Sequence, residues 1–519
     1  MQPNSTLLED RPSTVGANNF SVQPRCSLCL CGDIAAKDAH HGDTEDSEDA
    51  QRRRAQVRDG VPARSHETRR RVALSSSGLA AFRGPVLVAI VLLALTGQGC
   101  SRKPTTIASS VVNNPPTSVA PLRGTETSMT AVRFLEDRIK ADPDDLVALN
   151  KLANYYLQLY RETYDVAYLG LALRSARSSL GVLGADQNLS GLLVLAQAEY
   201  ATHDFVSARD HAKQLIEYQP QKGYGYQVLG DALLELGDYE QGAEVYGKME
   251  ELESGSVATE TRLAHLAVLR GDAASAQRRY ATALSAAKAA LVPSGETIAW
   301  CDWQLGETSF QSGDYRGAER HYRDALTAYP DYVRALASLG RVRAAQGDRE
   351  GAIEQYEHAV RIIPDPQFVG ALGDLYKLAG RDRDAANQYS LVEKIGRLNE
   401  LNGTLYNRQL AVFYADHELK PEEGYANAFR EYAVRRDIYG ADAVAWTALR
   451  TGKIAEAQSE IKDALRLGTK DARLFYHVGM ILRAAGDRNG ARDYLKRALA
   501  LNAQFDPLQA PIARKALEE

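Results

Sequence analysis

Thiols, imidazoles and paired carboxylates are the side chains in this 519-residue sequence that could carry chemistry. Near the N-terminus, Cys26, Cys29 and Cys31 precede His40-His41, and a CxxC pair supplies two thiolates at a spacing that zinc accepts. No second CxxC and no spaced histidine pair completes a ligand set, so we predict no metal site and no cofactor. The sequence also lacks GxxxxGK[ST], HExxH and GxSxG, the patterns of phosphate-binding loops, zinc proteases and serine hydrolases.

The remaining reactive side chains have ordinary structural interpretations. Cys301 stands between Trp300 and Asp302 with no histidine nearby in sequence, so it lacks the base that a nucleophilic thiol needs. Glu422-Glu423 follow a proline, where carboxylates in a first helical turn interact favourably with the helix dipole. His321 and His358 each lie close to a tyrosine on a predicted helix, which is typical of helix packing. We therefore predict that the protein is not an enzyme and has no catalytic residues.

Small residues recur along the chain at a spacing of about 34, which is the period of a helical repeat array. They are Ala196, Gly230, Ala264, Gly306, Gly340, Gly373, Ala411, Ala445 and Gly479. Another small residue follows almost every one of them twelve positions later. Each period therefore predicts two short helices that approach closely where the side chains between them are small.

The unit 331–364 illustrates how the residues predict such a pair. Leu336 and Leu339 share one face of a first helix, and Gly347 ends it because glycine accepts the left-handed conformation that follows a helix end. Pro364 ends the second helix. Aspartates follow the turn glycines because a helix start favours a capping side chain; they are Asp238, Asp272, Asp314, Asp348 and Asp487.

These residues resemble the tetratricopeptide repeat (TPR), which has Leu-Gly at positions 7–8, Ala at 20, Phe or Tyr at 24, Ala at 27 and Pro at 32. The unit 331–364 matches it with Leu339-Gly340, Ala352, Tyr356, Ala359 and Pro364. The resemblance extends over roughly residues 130–519, and the chain is also similar to bacterial TPR-containing lipoproteins. It implies an all-α fold, a right-handed superhelical solenoid of about ten helix-turn-helix repeats.

The domain organisation follows from this array and from changes in composition. Residues 130–505 are expected to form the TPR array and 506–519 a C-terminal capping helix with a charged face. Residues 1–71 are rich in Arg, Asp, Ser and Gly; they form a disordered extension or lie upstream of the true translation start. Residues 72–99 resemble a signal peptide, because arginines precede the apolar stretch 85–96 and small residues follow it.

Cys100 directly follows this segment and resembles the acylated cysteine of bacterial lipoproteins. Gly97 departs from that pattern, in which Leu is usual, and the alternative is an uncleaved anchor. Residues 100–129 are rich in Ser, Thr and Pro and predict an extended, lipid-attached linker. The expected location is therefore the cell envelope, with a lipid anchor at the outer membrane or the periplasmic face.

The function of the chain is expected to be binding at a surface of the repeat array. The net charge of −5 argues against a nucleic-acid partner, and we expect no small-molecule substrate. In the TPR family, positions 2, 5, 9 and 12 of the first helix line a concave groove. By this resemblance the groove residues are Tyr224, Gln227, Asp231, Trp300, Trp303, Glu307, Phe310, Arg334, Arg341, Asp374, Lys377, Arg408, Trp446, Tyr476 and Arg483.

The sequence thus predicts a scaffold that binds an unknown protein or peptide in this groove. The alternative is an assembly or export factor for an envelope apparatus, such as a pilus or an exopolysaccharide secretion system. Trp300 and Trp303 either face the groove or pack against the neighbouring insertion 289–298, where the repeat spacing lengthens. Position 9 carries no Asn in the nine units from Ala196 to Gly479, so capture of a C-terminal carboxylate by an Asn-containing TPR clamp is not expected.

Overall fold

The computed structural model describes residues 124–401 and 408–519, which form 22 α-helices and contain no β-strand. The first eleven are α1 (Gly124–Ala141), α2 (Leu146–Thr163), α3 (Ala167–Val182), α4 (Leu189–Ala201), α5 (Phe205–Tyr218), α6 (Gly223–Glu235), α7 (Tyr239–Glu253), α8 (Val257–Leu269), α9 (Ala273–Ala289), α10 (Gly295–Gln311) and α11 (Tyr315–Ala328). The others are α12 (Val333–Ala345), α13 (Arg349–Ile362), α14 (Pro366–Leu378), α15 (Asp382–Leu401), α16 (Arg408–Asp416), α17 (Pro421–Tyr432), α18 (Ile438–Arg450), α19 (Ile454–Ala464), α20 (Ala472–Ala484), α21 (Arg488–Leu501) and α22 (Gln509–Glu518).

The helices form ten consecutive antiparallel pairs, from α2–α3 to α20–α21, with α1 before them and α22 after them. Each helix packs against its pair partner and against the next pair, and all described residues belong to one compact unit. The predicted all-α solenoid of about ten repeats is therefore confirmed. The predicted signal peptide, Cys100 and most of the predicted linker lie outside the described residues.

The first helix starts before the predicted start of the array. It begins at Gly124, so it includes residues that the sequence analysis placed in the linker 100–129. Ser128 is buried and donates a hydrogen bond to Glu162 Oε1 at 3.0 Å, and Val132 packs in the first hydrophobic cluster. These contacts hold the first turns of α1 against α2.

Four of the five predicted capping aspartates cap the helix that follows them. The side chains of Asp272, Asp314, Asp348 and Asp487 each accept a hydrogen bond from a backbone N–H three residues on. Asp238 precedes α7 without such a bond. The repeated turn therefore explains these carboxylates without a catalytic role.

Glycines at the eighth position of a repeat allow its two helices to interlock. A Cβ atom on Gly306 would lie 2.3 Å from Tyr322 Cε1, and one on Gly230 would lie 2.2 Å from Tyr246 Cε1. In both repeats the tyrosine ring fills the space that a larger residue would occupy. The recurring small residues thus have the packing role that the sequence predicts.

Parts of the array that lie about 200 residues apart in sequence are also in contact, and we call these the cross-coil contacts. The backbone N–H of Ile438 donates to the Tyr239 hydroxyl at 2.9 Å. The Tyr315 hydroxyl donates to Asn502 Oδ1 at 2.7 Å, and the Thr469 hydroxyl bonds to the carbonyl of Leu269. The later repeats therefore lie directly against the turns of the earlier ones.

Three glycines in the turns between paired helices lie in this contact region. Gly237, Gly271 and Gly313 have φ values of 84°, 72° and 78°, which favour glycine. An added Cβ would meet the carbonyl oxygen of Arg436 at 2.5 Å for Gly237, and that of Gly468 at 2.6 Å for Gly271. Gly237 and Gly271 are therefore required by the turn and also by the close approach of a distant backbone.

Within residues 124–401 and 408–519, no helix is both long enough and apolar enough to cross a membrane.

Candidate functional site

The first helices of successive pairs enclose a cavity of about 450 Å³. Its wall comes mainly from α8, α10, α12, α14, α16, α18 and α20, from the loops that precede several of them, and from the loop between α21 and α22. This volume lies within the range of about 300–1,000 Å³ that is typical of ligand pockets. The cavity is the candidate binding site of the described residues.

The structure separates the predicted groove residues into two groups. The residues that line the cavity are Trp303, Glu307, Phe310, Arg334, Arg341, Asp374 and Arg408. The residues that do not line it are Tyr224, Gln227, Asp231, Trp300, Lys377, Trp446, Tyr476 and Arg483. Within the second group, Lys377 and Arg483 are exposed, Tyr224 is half-buried, and the others are buried between helices.

Trp303 presents its indole to the cavity. Its N–H donates to Ser338 Oγ at 3.0 Å, and the guanidinium of Arg334 lies 5.3 Å from the ring centroid. Arg334 also donates through Nε to the Tyr164 hydroxyl at 3.1 Å. Cation–π and hydrogen-bond contacts thus orient a large aromatic surface toward the cavity.

Trp300 lies instead in the core of its repeat. It is 4% exposed, and its ring centroid lies 6.0 Å from that of Tyr280 on α9. In the neighbouring insertion, Leu291 is fully exposed and Val292 is 66% exposed, so these two apolar residues do not cover the tryptophans. The structure therefore assigns the two tryptophans different roles, one in the cavity wall and one in the core.

Glu307 is the centre of a hydrogen-bonded cluster at the cavity wall. Its Oε1 accepts from the Tyr322 hydroxyl at 2.9 Å, from Ser338 Oγ at 2.8 Å and from Arg341 at 2.5 Å. The same guanidinium lies 4.1 Å from the centroid of the Phe310 ring. Burial, with the adjacent Glu307 carboxylate, raises the pKa of Tyr322 well above its ordinary value, so the hydroxyl stays a donor.

This arrangement recurs in other repeats. The Tyr246 hydroxyl donates to Asp231 Oδ1 at 2.7 Å, and the Tyr389 hydroxyl donates to Asp374 Oδ1 at 2.7 Å. In each case a carboxylate at position 9 bonds to a tyrosine fifteen residues later in the same repeat. Family resemblance alone places position 9 in the groove and does not indicate this pairing, although the fixed spacing of acid and tyrosine is visible in the sequence.

Each of these carboxylates also bonds to a cationic or imidazole side chain of the following repeat. Arg262 donates through Nη2 to Asp231 Oδ2 at 2.7 Å, and neither side chain is exposed. His417 Nε2 lies 2.7 Å from Asp374 Oδ1, and Arg341 bonds to Glu307. We call these three sets the acid–tyrosine links. They join the helices of one repeat to each other and to the next repeat.

A second buried cluster joins the cavity wall to the cross-coil contacts. Arg408 donates through Nη1 to Asp437 Oδ1 at 2.6 Å, and Arg435 Nε lies 3.1 Å from Asp437 Oδ2. Arg435 also bonds to Glu235, 200 residues away in sequence. Burial alone would raise the pKa of Asp437, but the two guanidiniums hold it below its ordinary value.

Acidic side chains outnumber basic ones in the cavity wall. The nine carboxylates are those of Glu235, Glu307, Asp365, Asp374, Asp416, Asp437, Asp442, Asp471 and Asp506. The five guanidiniums are those of Arg334, Arg341, Arg408, Arg435 and Arg473. A cavity lined by an excess of one sign of charge attracts ligands of the opposite sign, so this one favours cationic groups.

Cys301 has the properties of a core residue. It is buried and unpaired among the described residues, and burial raises the pKa of its thiol to about 12. Because the thiolate is the nucleophilic form, this cysteine is not activated for catalysis. A separate group of potential metal ligands, Asp302, His321 and Asp324, lies outside the cavity.

Paired helices at a fixed period, with a cavity formed by their first members, define an α-helical repeat protein that presents a binding surface. Sequence models described as tetratricopeptide repeat match residues 193–253, 304–367 and 443–507, and a second such model matches 256–331. Residues 193–253, 256–367 and 443–507 therefore consist of tetratricopeptide repeats. Proteins built from these repeats generally act as protein-interaction scaffolds, and this chain has that architecture.

Individual relatives are distant. Tetratricopeptide repeat protein 36 of Danio rerio is 27% identical over 96 residues, which cover 18% of this chain and 51% of that protein. The chain thus spans about half the length of this curated relative.

Similar solved structures include two that resemble this chain with low sequence identity and low TM-scores. The first, titled PilW, widely conserved type IV pilus biogenesis factor, has 15% identity and a TM-score of 0.35, and covers 39% of this chain and 91% of that one. The second, titled human IFIT1 dimer with PPP-AAAA, has 14% identity and a TM-score of 0.39, and covers 73% and 95%. Function must therefore be argued from this chain's own residues.

Proposed function

We propose that this chain is a non-enzymatic scaffold of the bacterial cell envelope that binds a segment of a partner protein in its interior cavity. The observation that carries the proposal is the wall formed by Trp303, Arg334, Phe310 and Arg341 around the cavity. Aromatic and Arg side chains dominate the energetics of protein interfaces, and here their rings and guanidiniums are already held in place by contacts with one another.

The size and charge of the cavity indicate what kind of segment it accepts. A volume of about 450 Å³ admits a few residues of an extended chain and excludes a folded domain. The excess of carboxylates in the wall favours a segment that carries Lys or Arg. We therefore propose a short basic segment of a partner protein as the ligand.

Site-specific photocrosslinking in cells tests this proposal. A photoreactive amino acid at Val412, which lines the cavity, is expected to crosslink a partner. The same amino acid at Val206, which is 50% exposed on α5, serves as the control. A partner captured equally from both positions, or from the control alone, would contradict binding in the cavity.

The charge of the ligand is tested separately with peptides from the captured partner. Peptides whose Lys and Arg residues are replaced by Glu are expected to lose binding, and binding of the native peptide should weaken as salt is raised. Equal binding of native and acidic peptides would exclude electrostatic selection by the cavity.

The envelope location rests on Cys100, and we propose that its thiol is acylated. A Cys100→Ala variant should lose incorporation of a labelled fatty acid and leave the membrane fraction. Retention of both would refute the lipid anchor and leave the cavity proposal unaffected. An assembly or export factor remains the alternative within the same class, and the identity of the crosslinked partner distinguishes the two.

A further inference from the structure

One histidine and two aspartates come together on the side of a repeat that does not face the cavity. Asp302 lies on α10, and His321 and Asp324 lie on α11. Side chains three residues apart on a helix share one face, so His321 and Asp324 both point toward Asp302. One ligand atom from each residue lies within 4.8 Å of the other two.

Buried polar atoms in this cluster lack the hydrogen bonds that they would be expected to make. The Asp302 side chain is 3% exposed, and its Oδ2 accepts no hydrogen bond within the described residues. His321 Nδ1 is also buried without such a bond. A buried carboxylate oxygen without a donor is costly, so both atoms are available to a ligand that reaches them.

The nearest side-chain nitrogens do not form hydrogen bonds with these atoms. Lys288 Nζ lies 3.7 Å from Asp302 Oδ2, and His321 Nδ1 lies 3.6 Å from Asp302 Oδ1. Both distances exceed the 2.7–3.2 Å or so of an N–H···O hydrogen bond. The Lys288 side chain is 53% exposed and can move into solvent, so it does not block access to Asp302.

We propose that Asp302, His321 and Asp324 bind a Zn²⁺ ion. An imidazole nitrogen and two carboxylates are ligands that zinc accepts, and three protein ligands leave its fourth position for water. Zinc–ligand bonds of about 2.0–2.2 Å would draw the three ligand atoms to within about 3.5 Å of one another. Asp324 is exposed and its side chain can rotate to close that distance. Mg²⁺ and Ca²⁺ take six or more oxygen ligands and fit this site less well.

Zinc at this position would connect the two helices of one repeat. The ion binds the folded arrangement of Asp302 and His321, which is absent from the unfolded chain, so binding would raise the stability of the α10–α11 pair. The proposal is independent of ligand binding in the cavity, because none of the three residues lines it.

Calorimetric titration of the chelator-treated full chain with Zn²⁺ tests the proposal. His321→Gln and Asp302→Asn are each expected to lose about one equivalent of bound zinc relative to the unmodified chain. His358→Gln on α13 is the matched control, because this histidine is also partly buried on a second helix, and it should bind as the unmodified chain does. Zinc held elsewhere, for example by Cys26 and Cys29, is bound equally by the unmodified chain and the variants. The difference between their titrations therefore reports the proposed site alone.

Two further variants distinguish zinc ligation from a purely structural ion pair. Because Asp324 is exposed, Asp324→Asn should leave the fold intact. This variant should bind zinc at least tenfold more weakly than the unmodified chain. Lys288→Ala removes a competing cation from Asp302 and should strengthen zinc binding several-fold. Zinc binding that is absent from the unmodified chain, unchanged in His321→Gln and Asp324→Asn, or matched by Mg²⁺ would overturn the proposal.

Discussion

Tyr322 connects two repeats through one carboxylate. Its hydroxyl donates to Glu307 in its own repeat, and Arg341 of the next repeat bonds to both groups. A hydrogen bond to a charged group contributes up to about 3 kcal/mol to stability, and Glu307 keeps its bonds from Ser338 and Arg341 when the tyrosine hydroxyl is removed. The acid–tyrosine links are therefore expected to contribute to stability in addition to forming part of the cavity wall.

Tyr322→Phe should consequently lower the free energy of unfolding by about 1–3 kcal/mol. Tyr356→Phe is the matched control, because Tyr356 occupies the same position in the next repeat and its hydroxyl makes no hydrogen bond within the described residues. Urea unfolding followed by circular dichroism measures both. Equal effects of the two substitutions would show that the hydroxyl bond to Glu307 contributes nothing specific.

His203 makes stability depend on pH. It is 4% exposed, and burial together with Arg435 and Arg408 lowers its pKa well below the ordinary value. Between the folded pKa and the ordinary value of about 6.5, the unfolded chain binds more protons than the folded one, so stability falls as pH falls. One such group changes the free energy of unfolding by at most about 1.4 kcal/mol per pH unit.

His203→Asn should therefore reduce the loss of stability between pH 7 and pH 5. Asparagine is suited to this position because it tolerates the φ of 64° found there. The measurement is the urea midpoint at each pH for both chains, and the difference in slope isolates this residue. Parallel pH profiles would contradict the assignment.

At the scale of the helix pair, two turn glycines share one backbone conformation but differ in the atoms that surround them. Gly237 and Gly486 have φ values of 84° and 86°, so alanine is strained to the same degree in both turns, by about 1–2 kcal/mol. An added Cβ at Gly237 would also lie 2.5 Å from the Arg436 carbonyl, whereas nothing lies within 4 Å at Gly486. Gly237→Ala is therefore expected to destabilise the chain by about 1–3 kcal/mol more than Gly486→Ala.

Thermal unfolding of the two variants tests this difference. The Gly486→Ala chain supplies the cost of the turn conformation alone, so the remainder belongs to the cross-coil contact. Equal melting temperatures would mean that the approach of Arg436 to Gly237 does not contribute to stability.

The helices and turns were predictable from the sequence where the interactions that form them are local. Gly340 and Tyr356 recur with the repeat, and Asp348 caps the helix that follows it, so spacing alone indicates both helices and their turn. The cavity was predictable only in part, because family positions place Trp303 and Trp300 together while the structure buries Trp300 beside Tyr280. Which side chain of a helix faces the cavity depends on how neighbouring repeats are rotated against each other. The repeat period in the sequence does not encode that rotation.

The cross-coil contacts could not be predicted for a related reason. Residues such as Tyr239 and Ile438 meet only after the curvature of many consecutive repeats has accumulated. A small change in the angle between pairs, multiplied along the array, decides which distant turns come together. No local pattern at Glu235 or Arg435 indicates that these side chains form a bond across 200 residues.

At the scale of the whole array, these contacts should couple segments that a simple solenoid leaves independent. In a one-dimensional array each repeat interacts only with its neighbours. Here Arg435→Met would leave Glu235 without its guanidinium partner, so we expect faster amide exchange in α6 as well as around residue 435. Hydrogen-exchange mass spectrometry measures this, with Arg483→Met, at an exposed ion pair to Glu519, as control. Exchange that changes only near residue 435 would refute the coupling.

The contact of Gly237 with Arg436 and that of Gly271 with Gly468 have an evolutionary consequence. Repeat arrays commonly grow and shrink by duplication or loss of whole units, since each unit needs only its neighbours. In this chain, inserting or deleting one unit between residues 272 and 436 would displace every later turn relative to its distant counterpart. The number of units in this interval is therefore constrained, and related chains that keep these glycines should keep the same count.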